Sequence, residues 1–568
     1  MKRLASDQAM NDVTPIDLFR RLTELNQIGI ALSREKDITR LLEAILVAAK
    51  KITNADGGTL YRMHNDRELR FEIMLTDSLG IAMGGTTGRP IPYYPVKLYE
   101  DDGAPNNSMV VAYSVLHDQT VNIADAYTEQ GFDFSGTKSF DSKTSYRSKS
   151  FLTVPLKNHE DEIIGVLQLI NAKDRETGDI VPFSPADQNL AESLASQAAV
   201  ALTNRQLIIQ LEELFESFIN LINAAIDDKS PYTGGHCQRV PALTMMLAEA
   251  ANNTSTGPLI TFGMTDKDRY ELKIAGMLHD CGKVTTPVHV VDKATKLQTI
   301  YDRIGLVDTR FEVLKRDAEV RMLKAKLEAL ERGDKSTWAE LEARRSAEIM
   351  QYDADREFLR FCNIGSERMS PEDQQRVTGI GWGYKWRDIE GNDNAPFLAD
   401  DEIKNLTIRA GTLTEEERKI INHHIEVTIM MLESLPWPRH LKNVPEYAGG
   451  HHERMDGKGY PRGLTRSQMS VQARVMGIAD IFEALTAKDR PYKKGKTLTE
   501  ALTILGRFKQ NGHIDPDLFD IFIRNRVYLR YAEQFLDPEQ IDEVDLSTIP
   551  GVPEDLLIGS SDARSSDV

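Results

Sequence analysis

The stretch GGHHERMDGKGYPRGL, residues 449–464, places two adjacent histidines directly before a glycine-rich loop. Only 12 histidines occur in the 568 residues, and eight of them lie between His236 and His452. Neutral imidazole and ionised carboxylate are the usual protein ligands of Fe, Mn, Ni and Zn. This part of the chain is therefore predicted to build a metal site.

Three other segments carry matching ligand candidates. The segment MLHDCGKV, residues 277–284, contains His279, Asp280 and Lys283, and ERKIINHHIEVTIMML, residues 417–432, contains His423 and His424. Further out lie His236 and, on a predicted helix, Asp480. Two metals about 3.5–4 Å apart can activate water and hold phosphate oxygens, which a phosphodiester hydrolase needs. Seven side chains suffice for two such ions if one carboxylate bridges them.

The adjacent pair His279-Asp280 suits such a bridge. Consecutive helical side chains diverge by about 100°, so Asp280 can lie between two metals while His279 holds one of them. Lys283 follows Asp280 by three residues, on roughly the same helix face, and can reach a phosphate oxygen. Asp280 and Lys283 are therefore the predicted catalytic residues.

Composition limits the classes of partner. The chain has 568 residues, 41% of them hydrophobic and 27% charged, which predicts two to four globular domains. The formal net charge of −18 disfavours binding to DNA or RNA polymers. The three cysteines form no CxxC pair, and neither a signal peptide nor an apolar run long enough to span a bilayer is evident. A cytoplasmic location is expected.

The N-terminal third is predicted to be an α+β domain. Helical periodicity covers residues 14–52, and strand-like segments such as GGTLYRM, SMVVAYSVL and IIGVLQLINA follow up to residue 172. This order resembles a GAF sensor domain. The candidates for a small-molecule or cyclic-nucleotide ligand, by the same resemblance, are Asn171, Lys173, Phe183 and Asp187. A GAF domain that is purely structural or dimerising is the alternative.

A long helix and a charged insert follow the N-terminal domain. Leucines recur at intervals near 3.5 residues from Leu190 to Leu221, which indicates a signalling helix that pairs as a coiled coil in a homodimer, or else packs as ordinary core. Residues 301–360 are helical and charged with a break at 331–334, which predicts an antiparallel hairpin. The insert is either an interaction surface or a solvated decoration.

The histidine segments resemble the HD-GYP phosphodiesterases, a branch of the HD-domain phosphohydrolases. HDCGK, HHERMDGKGYP and ADIFEALTAKDRPYKK occur in the order typical of that family. The resemblance implies hydrolysis of cyclic di-GMP to pGpG or GMP, or of cyclic GMP-AMP, by an all-α domain. It implies one metal on His236, His279, Asp280 and Asp480, and a second on Asp280, His424, His451 and His452.

The resemblance also implies the nature of the metals and the substrate contacts. Two divalent transition metals are expected, Fe or Mn in the first place, with Ni, Zn or Mg as alternatives. The implied substrate contacts are Lys283, Gly459, Tyr460, Pro461, Arg490, Lys493 and Lys494. Tyr232 replaces the glutamate with which some members bind a third metal, and Thr428 favours His424 over His423 as the ligand. Glu453 is expected to accept a hydrogen bond from a ligand histidine.

Two further expectations concern organisation and a rival function. A binding scaffold with little turnover, with a diguanylate cyclase as a possible partner, is the alternative to the enzyme. The predicted parts are an arm at 1–13, the GAF-like domain at 14–185, the signalling helix at 186–228, the HD-GYP domain at 229–297 and 413–558, the insert at 298–412, and a disordered tail at 559–568.

Overall fold

The computed structural model of the 568-residue chain describes residues 15–229, 235–365, 368–488 and 495–558. The chain divides into two compact units, residues 1–214 and residues 215–568. None of the described helices combines the length and the apolar character needed to cross a membrane.

The first unit is an antiparallel β-sheet with helices on both faces. Its helices are α1 (Pro15–Arg34), α2 (Ile38–Thr53), α3 (Val110–Leu116), α4 (Ser135–Thr144) and the start of α5 (Pro185–Lys229). Its strands are β1 (Ala55–His64), β2 (Glu68–Thr76), β3 (Ile81–Gly84), β4 (Val96–Lys97), β5 (Val121–Ile123), β6 (Phe151–Lys157), β7 (Ile163–Lys173) and β8 (Ile180–Val181). The α+β architecture predicted for this part is confirmed.

The sheet order is β3-β2-β1-β7-β6-β5, with β4 beside β2 and β8 beside β7. The register pairs Leu60 of β1 with Leu167 of β7. Successive strand residues face opposite sides of a sheet. Leu60 accordingly packs in the core that also contains Ala195 of α5, whereas Tyr61 packs with Val111 of α3. Both faces of the sheet are therefore buried.

One strand predicted from the sequence is a helix. The segment SMVVAYSVL forms α3, in which Val110, Val111 and Ser114 are buried. Their spacing of one and three residues puts them on one helical face, which packs against β6 and β7. The strand prediction relied on the β-branched valines, and tertiary packing overrides that local preference.

Helix α5 runs without interruption over 45 residues. Several of its large apolar side chains are exposed, at spacings of three, four or seven residues: Val200, Leu207, Leu211, Leu214, Phe218 and Leu221. An exposed apolar stripe with this spacing is typical of a coiled-coil seam.

The second unit is mostly helical. Its helices are α6 (His236–Asn252), α7 (Asp266–Leu278), α8 (Val288–Val291), α9 (Ile304–Glu331), α10 (Trp338–Asn363), α11 (Pro371–Gly383), α12 (Asp400–Leu406), α13 (Glu415–Glu433), α14 (Val444–Gly449), α15 (Val471–Thr486), α16 (Leu498–Gln510), α17 (Pro516–Arg524), α18 (Val527–Phe535) and α19 (Glu554–Ile558). Its two short strands, β9 (Lys385–Trp386) and β10 (Ala395–Pro396), pair with each other. A single-turn 3₁₀ segment, Cys281–Thr285, follows α7.

The predicted hairpin at residues 301–360 is confirmed by α9 and α10, which pack against each other. The two helices are antiparallel, because Asp308 pairs with Arg360 at one end and Lys326 with Glu342 at the other. A core separate from that of α6, α7 and α15 joins this pair to α11 and α12, with Phe311 and Phe397 at its centre. The insert thus has its own apolar interior.

Candidate functional site

Five elements bring the predicted ligands to one place in the second unit. His236 begins α6, His279 and Asp280 directly follow α7, His424 lies in α13, His451 and His452 follow α14, and Asp480 lies in α15. Their ligand atoms form three overlapping groups, in each of which the atoms lie within 4.8 Å of one another. The groups are His236, His279 and Asp480; His424, His451 and His452; and His279, Asp280 and His451.

Asp280 lies at the middle of this cluster. Its Oδ2 is 3.1 Å from Nε2 of His236 and 3.3 Å from Nε2 of His279. Its Oδ1 is 3.2 Å from Nε2 of His424. The carboxylate therefore faces both the first and the second group with a different oxygen, as a bridging ligand requires.

Most of these histidines have one ring nitrogen tied to the backbone. Nδ1 of His279, His424 and His451 each contacts the carbonyl three residues earlier, with distances of 2.7 Å for His279 and 2.6 Å for His451. A carbonyl can only accept, so the proton is on Nδ1. The lone pair of Nε2 is thereby directed into the cluster, which is the orientation of a metal ligand.

Three polar atoms at the centre are buried without a hydrogen-bond partner in the part of the chain that the structure describes. They are Oδ1 of Asp280, Nε2 of His424 and Nε2 of His451. Oδ1 of Asp280 and Nε2 of His424 lie close together but do not have hydrogen-bond geometry. Burying such groups unpaired costs free energy. These donor atoms, all nitrogen or oxygen, fit divalent transition metals.

The electrostatics keep His451, His452 and Asp280 in the forms that bind metal. Burial lowers the pKa of His452 to about 4 despite the nearby carboxylates of Asp480 and Asp280. Burial also lowers the pKa of His451 well below its usual range. Although burial favours the neutral acid, Lys283 and His279 hold the pKa of Asp280 well below its ordinary value. The site thus combines the neutral imidazoles of His451 and His452 with the ionised carboxylate of Asp280.

Lys283 reaches the same place. Its Nζ contacts Oδ2 of Asp280, and the pKa of Lys283 is raised because Asp280 and Asp480 outweigh the effect of burial. The 3₁₀ segment that carries Lys283 is packed tightly on α13. The amide of Gly282 donates to Oγ1 of Thr428 at 2.9 Å, and a Cβ at Gly282 would lie 2.0 Å from the carbonyl oxygen of His424. Only glycine permits this approach.

Glu483 is a site residue that the sequence analysis missed. Its Oε2 lies 2.5 Å from Nδ1 of His236, and its Oε1 accepts from Arg239 at 2.7 Å. Burial opposes the charge on His236, but Glu483 raises the pKa of His236 to about 9. The sequence spacing could have indicated Glu483, because it follows Asp480 by three residues and both therefore lie on one face of α15.

The role predicted for Glu453 is corrected. Its oxygens accept from the amides of Arg462 at 2.7 Å and Leu464 at 2.9 Å, so it orders the loop after Pro461 instead of a histidine. Its own position is fixed by a close approach, because a Cβ at Gly459 would lie 2.5 Å from Cα of Glu453.

The two histidines of α13 differ in direction. His424 is buried beside Asp280, whereas the side chain of His423 is 61% exposed and contacts Glu426. The structure therefore brings His424 into the cluster. Arg490, Lys493, Lys494 and Tyr232, named from the sequence, lie outside the described residues.

Two cavities meet at Tyr460, and His451, His452 and Asp480 of the cluster line the first of them. The first, of about 460 Å³, is called here the Lys496 cavity, and among its lining residues are His452, Arg454, Lys458, Tyr460, Lys496 and His513. The second, of about 560 Å³, is called the Lys419 groove, and among its lining residues are Thr286, Lys419, Asn422, His423, Tyr460 and Pro461. Tyr460 borders both and stacks on His452, with ring centroids 4.9 Å apart.

The GAF-ligand candidates of the first unit are occupied by contacts within the domain. Asn171 is buried and bonds to the amide of Lys149 and the carbonyl of Arg147. Lys173 pairs with buried Asp56, and Phe183 lies in the core. Asp187 accepts from Ser184 and pairs with Arg21. These four side chains therefore make contacts within the domain, and their part in a ligand pocket stays a prediction.

Comparison with known families divides the chain in the same way. The family model described as GAF domain matches residues 37–202, and two models described as HD domain match residues 233–356 and 399–518. The chain therefore contains a GAF domain followed by HD-domain sequence. The first HD match contains His236, His279 and Asp280, and the second contains His424, His451, His452 and Asp480.

Several curated proteins resemble part of the chain. A 3'3'-cGAMP-specific phosphodiesterase of Vibrio cholerae is 44% identical over 82 residues, which are 14% of this chain and 19% of that protein. A cyclic di-GMP phosphodiesterase of Pseudomonas aeruginosa is 37% identical over 133 residues, 23% of this chain and 30% of that one. A cyclic di-GMP phosphodiesterase of Thermotoga maritima is 28% identical over 199 residues, 33% of this chain and 51% of that one.

The matched segments thus span about half or less of these relatives' own lengths. Among solved structures, the GAF domain of a phosphoenolpyruvate-protein phosphotransferase from Coxiella burnetii aligns with 34% of this chain and 97% of its own. The sequence identity in that alignment is 13% and the TM-score is 0.26.

Proposed function

We propose that this chain is a metal-dependent phosphodiesterase that hydrolyses a cyclic dinucleotide, cyclic di-GMP in the first place, under the control of its GAF domain. The observation that carries the proposal is the buried cluster around Asp280, in which nitrogen and oxygen atoms without a partner among the described residues converge beside the Lys496 cavity. The HD-domain matches and the names of the relatives support the same chemistry.

Two divalent metals would be held by this cluster. The first group offers His236, His279 and Asp480, the second offers His424, His451 and His452, and Asp280 lies between them. Fe or Mn suits the mixed imidazole and carboxylate donors, and Ni, Zn and Mg are the alternatives. A bound pair of such ions lowers the pKa of water and neutralises charge on a phosphate.

Metal content tests this arrangement separately from activity. Wild-type protein is expected to bind two metal equivalents per chain, measured by elemental analysis after anaerobic loading. Asp480→Ala, which removes a donor from the first group only, is expected to retain one equivalent. A single equivalent in the wild type would contradict the two-metal arrangement.

The chain's own groups orient and stabilise the phosphate. Lys283 stays charged, so its Nζ can exchange its contact with Asp280 for a phosphate oxygen of the substrate. A fixed cation in a site screened from water stabilises developing negative charge more strongly than one in solvent. Glu483 and the backbone carbonyls hold the histidine rings in place during this step.

The Lys496 cavity would receive one nucleotide. The face of Tyr460 that is not covered by His452 can stack with a base, as aromatic side chains do in nucleic-acid sites. Lys458, Lys496 and His513 supply donors for phosphate or base oxygens. Gly459 and Pro461 set the course of the loop on either side of Tyr460. Contacts by Arg490, Lys493 and Lys494 are proposed from the sequence resemblance alone.

The test is product analysis of labelled cyclic di-GMP after incubation with Mn- or Fe-loaded protein. Linear pGpG, GMP or both are expected, and chelation of the metal is expected to abolish them. Intact cyclic di-GMP bound to metal-loaded protein would favour the rival function, a binding scaffold with a partner such as a diguanylate cyclase.

Cyclic GMP-AMP is the second candidate substrate. The observation that favours it is the 44% identity to a protein named as specific for 3'3'-cGAMP. Parallel assays with both cyclic dinucleotides decide between them by the ratio of kcat/KM.

Control by the GAF domain is proposed to act through a homodimer. The exposed apolar stripe of α5 supports pairing of this helix with that of a second chain. A change in the GAF domain would then alter activity through the register or rotation of the paired helices.

A further inference from the structure

The Lys419 groove lies between the 3₁₀ segment after α7 and the first turns of α13. Thr285 and Thr286 on one side follow Lys283 in the chain. Lys419 and Asn422 on the other side precede His424 by five and two residues. The groove therefore adjoins the chain segments that carry Asp280 and His424, and it shares Tyr460 with the Lys496 cavity.

Polar groups in the groove lack partners. Thr286 is 2% exposed, and its hydroxyl is buried without a hydrogen bond to any described residue. Lys419 is exposed and forms no ion pair within the described ranges, and the half-buried side-chain amide of Asn422 forms no hydrogen bond there. Three donors of different types are thus available to a ligand. A buried hydroxyl normally has a hydrogen-bond partner. Because the hydroxyl of Thr286 has none among the described residues, a bound group can supply that hydrogen bond.

The remaining lining suits a flat heterocycle. Ile420, which is 44% exposed, and the ring of Pro461 offer apolar surface. Glu426, held beside His423 at 2.6 Å, offers a hydrogen-bond acceptor. A purine combines apolar faces with an edge that carries both donors and acceptors, and lysine and asparagine are common partners of guanine and adenine edges.

We propose that the Lys419 groove binds the second nucleotide of the cyclic dinucleotide, with Lys419 and Asn422 at the base edge and Thr286 as a further donor. The inference rests on the proposed function. A cyclic dinucleotide has two nucleosides joined through two phosphates, so a phosphate held at Asp280 is esterified to both nucleosides and each of them needs a place beside the cluster. Two cavities of about 460 and 560 Å³ bordered by one tyrosine match that shape. Each has a size typical of small-molecule sites.

The test compares two substrates in four proteins: wild type, Lys419→Ala, Asn422→Ala and Arg418→Ala. One substrate is cyclic di-GMP, and the other is bis(p-nitrophenyl) phosphate, a diester with no nucleotide to occupy the groove. Arg418 is the matched control, because it is exposed on the same helix and lines neither cavity.

Lys419→Ala and Asn422→Ala are each expected to lower kcat/KM for cyclic di-GMP relative to the small diester by about tenfold, mainly through KM, as for loss of a base-edge contact. Arg418→Ala is expected to leave this ratio within twofold of the wild type. Equal losses on both substrates, or no loss on cyclic di-GMP, would overturn the assignment of the groove.

Equilibrium dialysis of labelled cyclic di-GMP on the same proteins separates this claim from the proposed function. If the wild type binds but does not hydrolyse cyclic di-GMP, and Lys419→Ala weakens binding about tenfold, the diesterase function fails and the groove stands. If Lys419→Ala and Arg418→Ala bind equally well, the groove assignment fails while diesterase activity is unaffected. If the wild type binds no cyclic dinucleotide, both claims fail.

Discussion

At the scale of residues, the cluster is organised by what each histidine does with its second nitrogen. His279, His424 and His451 donate to the carbonyl three residues earlier, so the backbone alone orients them. His236 begins its helix and has no such carbonyl within α6. Its orientation depends on Glu483, which is in turn held by Arg239. The orientation of His236 therefore depends on Glu483 more than on its own helix.

Glu483→Gln is expected to weaken metal binding by about 10–100-fold, the usual cost of losing an outer carboxylate. The amide keeps the shape, but its neutral oxygen is a weaker acceptor for Nδ1–H of His236, which makes Nε2 a weaker donor to a metal. Titration of metal into the chelated protein measures the change. Glu340→Gln, at an exposed position of α10, is the control. Unchanged affinity in Glu483→Gln would show that His236 is oriented without it.

A second charged residue, Asp56, is central to the GAF domain. It is 1% exposed and accepts hydrogen bonds from Lys173, Ser78 at 2.5 Å and Tyr146 at 2.6 Å. Burial opposes its charge, but these donors lower the pKa of Asp56 below its ordinary value. The folded-state pKa is therefore depressed. The ionised carboxylate of Asp56 therefore stabilises the fold above the unfolded-state pKa of about 3.9. This stabilisation is lost as the pH falls through the folded-state pKa.

Asp56→Asn is expected to lower the free energy of unfolding at pH 7 by about 1–3 kcal/mol, because buried donors lose a charged acceptor. The difference in the free energy of unfolding between Asp56→Asn and the wild type should be smaller at pH 3. Urea unfolding followed by far-UV circular dichroism at the two pH values measures it. Asp66→Asn, in an exposed turn, serves as the control. An equal difference at pH 7 and pH 3 would contradict the proposed ionisation.

At the scale of elements, the 3₁₀ segment packs on α13, and this contact brings together the two groups of candidate metal ligands. Asp280 and Lys283 belong to one side and His424 to the other, and Gly282 is the point of contact. The tight fit depends on the absence of a side chain at that position.

Gly282→Ala is expected to lower the melting temperature of the second unit by several degrees and to weaken metal binding, because the new Cβ collides with backbone atoms of α13. Tryptophan fluorescence reports this unit, since Trp338, Trp382, Trp386 and Trp437 all lie in it. Gly305→Ala is the control, because a Cβ there meets nothing within 4 Å. Equal melting temperatures in the two variants would contradict the packing argument.

The elements also show what the sequence could predict. The long helices, the β6–β7 hairpin and the insert hairpin follow from periodicity and turn residues, which are local signals. Segment 108–116 was predicted as a strand because its valines favour strands, yet packing on the sheet makes it helical. Glu453 and Glu483 illustrate the same limit at the site. Which carboxylate meets a histidine depends on helix packing across more than 200 residues, since Glu483 pairs with His236.

At the scale of the whole molecule, α5 is the helix through which the chain passes from the first unit to the second. Six exposed apolar side chains of α5 follow a heptad spacing from Val200 to Leu221. This is the pattern of a helix that pairs with another copy of itself.

Leu211→Glu is expected to shift the protein from dimer to monomer in sedimentation velocity, because it places a charge in the seam, where Leu211 is 64% exposed in the single chain. Gln210→Glu adds the same charge to the neighbouring position outside the stripe and is expected to remain dimeric. If both variants sediment as the wild type does, α5 does not form the dimer contact.

The most direct test of the central claim is turnover of cyclic di-GMP by anaerobically purified, Mn- or Fe-loaded protein, compared with Asp280→Asn and with Asp266→Asn, an exposed control. Metal content is measured in each sample. Linear product from the wild type and the control, and none from Asp280→Asn, is the predicted result. Full turnover by Asp280→Asn with its metals in place would contradict the account.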